Sequence, residues 1–346
     1  MATRNWVVII LAAAAALRLD AQQGSVWGPV SGFVFDRSAR ALRPILGTPG
    51  ASLIGDPLNV GFPLQSASVA PRQDFAVAVA ADGSLHLLRL GAGSAAELTV
   101  NGVAGVAERV IFSPSGTAVL LYAAGRAQVV TGLPDAPSLS ATVEILDASL
   151  TGSETLPQSR DRQGAVVNGR RGRDTGEPSA LAVSDDGTQL LVATRGAVRV
   201  MGAAGGSHVL ASTKRAALVA FAPGGYDAAV VDAAGSGVTL FRDVTGAAIG
   251  QPVAPADNAI ASAAGLAFSG DGRKLFLASS TAQMVTTFDL ASSARSSVPC
   301  RCAPAGLIPM GGLLRLTELG SGPLWLLDTG AAEPRMVFVP APVPLN

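Results

Sequence analysis

The chain has 346 residues, and its 25 Lys plus Arg equal its 25 Asp plus Glu, so no net field would recruit nucleic acid or an anionic membrane. Charged residues make up only 14% and apolar residues 49%, with 40 glycines. That mix excludes an assembly of long helices with one charged face and favours short buried strands joined by tight turns.

The N-terminus reads MATRNWVVIILAAAAALRLDAQQ. Arg4 provides a positive start, Trp6 to Leu17 form an apolar run of about 18 Å as a helix, and Ala21 offers a small residue before Gln22. The run is too short for a hydrocarbon core of ~30 Å, so the pattern predicts a signal peptide over 1–21, with an uncleaved anchor as the alternative. The expectation is one domain over 22–346, secreted or periplasmic, free of the membrane after cleavage and monomeric.

From residue 67 one layout recurs: SVAPRQDFAVAVA (68–80), IFSPSGTAVLLYA (111–123), AVSDDGTQLLVAT (182–194), AFAPGGYDAAVVD (220–232) and AFSGDGRKLFLAS (267–279). Each is a short apolar strand, a polar turn and a second apolar strand. Gly116, Gly187, Gly225 and Gly272 are the residues suited to a positive φ in these turns. A weaker copy, AGLIPMGGLLRLT (305–317), keeps a Gly pair. Second hairpins follow, as in LFRDVTG (240–246), TTFDLASS (286–293) and WLLDTG (325–330). Four antiparallel strands per unit of about 40 residues predict an all-β fold, a β-propeller of four-stranded blades.

The segment VSGFVFDRSARALRP (30–44) reads as one more second hairpin, with Asp36 where Asp243, Asp289 and Asp328 fall. With ASLIGDPLNV (51–60) it would complete seven blades, six being the alternative. RMVFVPAPV (335–343) is expected to be the last strand, ended by its prolines.

The segment GDGRKLFLASSTAQMVTTFDLASS resembles the blade consensus of bacterial surface propellers of the YVTN type and, more loosely, the WD-repeat class. The likeness spans about 67–340, although no unit carries a Trp-Asp pair. It implies a blade architecture and leaves the ligand open.

Ser113 and Ser184 stand 71 residues apart (184 − 113), which places a flexible insertion at about 147–178. Within it, SRDRQGAVVNGRRGRDTGE carries Arg160, Arg162, Arg170, Arg171 and Arg173. Arg forks suit carboxylate or phosphate, so this is a candidate partner-binding loop, the alternative being a solvated insertion. Cys300 and Cys302 are two apart in SVPCRCAPAGL. A regular strand would hold them too far apart, but Pro299 and Pro304 argue against one, and a local bridge is the leading reading.

No nucleophile elbow, H-E-x-x-H, Walker loop or calcium loop is present, and no cofactor, metal or catalytic residue is expected. His86 and His208 read as surface or turn residues. The recurrent Asp243, Asp289 and Asp328, and Asp185 with Asp186, read as acceptors for their own turns. Asp271 and Gly272 read as a hairpin turn and Lys274 as its exposed flank. The expected function is a non-catalytic module that binds a protein or polysaccharide through the loops around a central channel. The YVTN-type likeness also implies the alternative of a propeller hydrolase of the lactonase sort.

Overall fold

The computed structural model describes residues 28–91, 93–100, 102–103, 105–145, 177–214, 218–232, 234–331 and 333–341. Seven consecutive antiparallel sheets form a seven-bladed β-propeller. The blades span 30–54, 64–98, 109–144, 180–212, 218–254, 263–299 and 308–339. One helical turn, Asn258–Ala261, leads into blade 6, capped by Asp257.

Each blade packs on both neighbours, and this dictates its strand compositions. Second strands are buried on both faces and read as unbroken apolar runs: Phe75–Ala80 is buried throughout. Outermost strands meet solvent on one face, so Ser138–Glu144 alternates between exposed and half-buried positions. Every gap between adjacent blades holds its own hydrophobic cluster. Between blades 5 and 6, for example, Ala229, Val231 and Leu240 pack against Leu275, Leu277 and Phe288. Each fully buried side chain of that size contributes roughly 1.5–3 kcal/mol.

The recurring turns have the expected chemistry, except that the Asp185 carboxylate accepts from Ser115 and Gly224 of the neighbouring blades rather than from its own turn. Ser184 and Ser269 accept the N–H of Gln189 and Lys274 and donate to Asp186 and Asp271, two residues on. Gly116, Gly187 and Gly272 have φ of 74°, 72° and 70°. In blade 5, however, the positive φ of 72° falls on Gly224 rather than the expected Gly225. Lys274 flanks its turn as the first residue of a strand, paired with Asp289, and is half-buried rather than exposed.

Blade 1 departs from the prediction in two ways. Six sheets have four strands, but the first has three among the described residues. Its inner strand, Val30–Asp36, carries the buried run of a second strand. Its last, Ala51–Ile54, has the alternating exposure of a fourth and packs beside Arg335–Val339, the outermost strand of blade 7. The missing member is therefore the innermost. Consequently 30–44 is not a second hairpin: it joins second to third strands, and Asp36 corresponds to Asp232 in blade 5. Both aspartates are buried, and both accept the N–H two residues later, from Ser38 at 2.9 Å and Ala234 at 3.2 Å.

Where the innermost strand would lie, blades 7 and 2 meet directly. Gly311 N–H donates to the Pro71 carbonyl at 2.7 Å, joining their first turns. Gln73, beside Pro71, donates from Nε2 to Ala70 O at 2.9 Å and accepts the Phe33 N–H on Oε1 at 2.6 Å. At the opposite face Asp36 forms an isolated parallel bridge with Leu319, from the loop after the second strand of blade 7.

Candidate functional site

Innermost strands of blades 2 to 7 surround a central cavity of about 860 Å³, and the gap in blade 1 opens it toward Phe33 and Phe35. Its wall is mostly apolar, with Ile111, Leu181, Val219, Leu266 and Met310 projecting from successive blades. Among the described residues, five ionisable ones line it: Arg37, Arg72, Glu108, Arg315 and Glu318. Arg72 pairs with Asp74 at 3.0 Å.

Arg37 and Arg315 share one end of this cavity. Arg37 sits in the turn after Asp36, and that turn is fixed by its own sequence. Asp36 accepts the Ser38 N–H at 2.9 Å, the Ser38 hydroxyl at 2.6 Å and the Ala39 N–H at 3.1 Å, and it pairs with Arg43 at 2.9 Å. Burial works against the Asp36 carboxylate, but the Ser38 and Ala39 bonds and Arg43 outweigh it and hold the group below its ordinary range. Arg315 closes a short apolar strand, Leu313–Arg315, with its side chain only 14% exposed. Its Nη2 meets Glu318 at 3.1 Å, while its Nε is buried without a hydrogen-bond partner among the described residues. Burial lowers the proton affinity of this guanidinium, Glu318 raises it, and like-charged Arg37 lowers it again. It remains a cation.

A second constellation lies outside the channel, on blade 2. Ser84 Oγ stands 2.7 Å from His86 Nε2, and His86 Nδ1 stands 2.7 Å from Glu97 Oε1. Phe62 stacks on the imidazole at 4.1 Å. The spacing is that of a serine, base and orienting acid. The proton inventory differs, because Ser84 Oγ also donates to Asp82 Oδ1 at 2.6 Å. The Ser84 hydroxyl and N–H, the larger effects, hold Asp82 ionised below its ordinary range against a small desolvation penalty. One hydroxyl proton cannot serve both acceptors. With Asp82 taking it, Ser84 meets His86 as an acceptor, and the group is a surface clamp across two strands.

The expected sites are distributed as follows. Arg160, Arg162, Arg170, Arg171 and Arg173 lie outside the described residues, as does the expected signal peptide over 1–21. The flanks of the insertion are tied down, blade 3 ending at Glu144 and Pro178 O accepting from Arg109 at 2.7 Å. The segment therefore joins two blades rather than interrupting one. His86 and His208 belong to blades 2 and 4 and do not meet. Asp243, Asp289 and Asp328 each accept N–H bonds from their own turns, from Thr245, Ser292 and Gly330. Cys300 and Cys302 are joined as a disulfide with Cα atoms 5.1 Å apart, both buried in the link between blades 6 and 7.

The channel charges do not stand out in the sequence because none recurs at the equivalent position of the sister units. Two signals were available: Arg315 is the one charge within LLRLT, and Gln73 stands where Gly116, Gly187 and Gly272 stand in sister turns.

No family model matches the chain, and no curated protein matches it. Solved structures do. A functionally unknown protein from Desulfotomaculum acetoxidans aligns at 13% identity and TM-score 0.54, over 90% of this chain and 100% of its own. A candidate 6-phosphogluconolactonase from Bacteroides fragilis aligns at 15% and 0.55, over 91% and 95%. Another from Bacteroides uniformis aligns at 16% and 0.52, over 90% and 96%. At such identities the likeness defines a class, the β-propellers, and goes no further than the fold.

Proposed function

We propose that the protein is a non-catalytic, secreted or periplasmic propeller that binds a protein or glycan at its central channel and the surrounding loops. The signal-peptide pattern of 1–21 and the YVTN-type likeness of blade 6 support the compartment and the bacterial surface setting. The observation that carries the binding reading is the channel wall: apolar over most of its circumference, its charges are Arg37, Arg72, Arg315, Glu108 and Glu318. Glu318 is engaged by Arg315, and no histidine or second free carboxylate faces Glu108 among the lining residues. That is the lining of a site which holds a molecule rather than moving its protons. The arginine-rich segment 159–177 is a second contact for an acidic partner.

The test is retention of glycans and secreted proteins on the immobilised full chain, against a Ser68→Trp variant that fills the channel. Ligands retained by the wild type and released by the variant support the reading; identical retention by both, or none by either, overturns it. A variant with all five insertion arginines changed to Ser should lose acidic partners selectively.

One observation favours a lactonase instead: Glu108 lies in the same cavity as three arginines, and two neighbours in fold are candidate 6-phosphogluconolactonases. Lactone hydrolysis that falls with Glu108→Gln would establish that alternative.

A further inference from the structure

We propose that the blade 1 end of the channel binds the carboxylate of a small amphiphilic acid, its headgroup on Arg315 and Arg37 and its apolar body against Phe33 and Phe35. The inference deepens the binding reading and rests on it.

Charge is the first argument. Two guanidinium groups face this end of the cavity; Glu318 pairs with Arg315, and Glu108 stands on blade 3, leaving the positive charge of Arg37 without an ion pair among the described residues. A monoanion neutralises it, whereas a phosphate dianion overshoots. Hydrogen bonding is the second. The Arg315 Nε–H is buried without an acceptor among the described residues, and a buried donor left unmade costs about 1–3 kcal/mol, which an incoming carboxylate oxygen would recover. The third is preorganisation. Glu318 holds the Arg315 guanidinium, and Asp36 fixes the backbone turn that carries Arg37 through Ser38 and Ala39, so one cation and the backbone of the other are set before a ligand arrives.

Shape argues for a compact ligand over an added strand. The gap is where an innermost strand would run, but the edge of Val30–Asp36 is already engaged, Phe33 by Gln73 and Asp36 by Leu319. A peptide pairing along it would have to displace both. A cavity of about 860 Å³ beside Phe33 and Phe35 accepts a small molecule without displacing either.

The experiment is an NMR or calorimetric titration of the full chain with 4-phenylbutyrate, its uncharged amide and inorganic phosphate. The acid should bind, the amide and phosphate should bind far more weakly, and Arg37→Gln should weaken the acid about tenfold or more. Arg37 is exposed, so this variant keeps the test valid if Arg315→Met fails to fold. Equal binding of acid and amide, preference for phosphate, an unchanged affinity in Arg37→Gln, or no binding of any probe overturns the inference. Equal acid and amide binding would leave the channel as a binding site; loss of glycan and protein retention would overturn the broader reading while phenylbutyrate still bound.

Discussion

The N–H of Phe33 donates to Oε1 of Gln73 at 2.6 Å, on the side of blade 1 where no innermost strand is found among the described residues. Gln73 adopts φ of 66°, where three sister turns use glycine. The left-handed strain is accepted because a side chain is needed there: it satisfies a backbone donor that no described strand reaches. Gln73→Ala keeps the strain and orphans the donor, and should cost about 1–3 kcal/mol by denaturant unfolding. Gln73→Gly orphans the same donor but relieves the strain of roughly 1 kcal/mol, and should fall between. An alanine variant as stable as wild type would refute this role.

Asp185 ties three blades at one turn. Its carboxylate accepts Ser115 N–H from blade 3 at 2.7 Å and Gly224 N–H from blade 5 at 2.8 Å. Its carbonyl accepts the Thr117 hydroxyl at 2.6 Å. Asp185→Ala should destabilise by about 1–3 kcal/mol, and Asp185→Asn, which retains one acceptor, by about half as much. The two midpoints in urea decide it; equal midpoints for Ala and Asn would mean that the pair of bonds is not what stabilises the turn.

Asp186 makes stability sensitive to acid. Burial pushes its carboxyl up, but the hydroxyls of Tyr226, Ser184 and Thr188 and the Thr188 N–H together bring it down to about 2, from 3.8. A depressed folded-state value means the contribution is complete above the unfolded value and disappears as pH falls through the folded one. Stability should therefore decline between about pH 4 and pH 2. Tyr226→Phe should be less stable than wild type at neutral pH, the difference vanishing below about pH 2. The residue is exposed, so screening keeps the effect small. A pH-independent difference would exclude this linkage.

Cys300 and Cys302 predict a mass two hydrogens below the reduced chain, about 2 Da, for the unreduced protein. Cys300→Ser with Cys302→Ser should loosen the link that packs on Phe276, Leu307 and Leu327, and lower the midpoint without changing blade number. Two titratable thiols in the unreduced native protein would count against the bridge.

The repeating parts of the fold are legible in the sequence because one physical problem is solved seven times. A buried strand followed by S-x-D-G or its variants announces each first turn, as Ser184, Asp186 and Gly187 show. What could not be read is where the ring departs from its own rule. Asp36 resembles Asp243 in local sequence, since both cap a turn, and only the packing of Val30–Asp36 against both neighbouring blades reveals which turn it caps. The channel charges were hidden for a related reason: Arg37 is far in sequence from Arg315 and Glu318 and meets them only because blades 1 and 7 are adjacent.

The direct contact between Gly311 and Pro71 bears on how the molecule is assembled. Every sheet is built from strands consecutive in the chain, so each blade needs only local pairing to form. No described strand is exchanged between first and last blades; the seam is sealed by side-chain packing of Val34 and Ile45 on Leu326 and Val337 and by a few hydrogen bonds. Such a seam resembles a clasp more than a weld. Blades can accumulate in order, with circularisation as the final event, and the same joint is where thermal opening should begin. Native-state hydrogen exchange offers the check: the Gly311 and Phe33 amides should exchange at lower protection than the equivalent positions in blades 4 and 5.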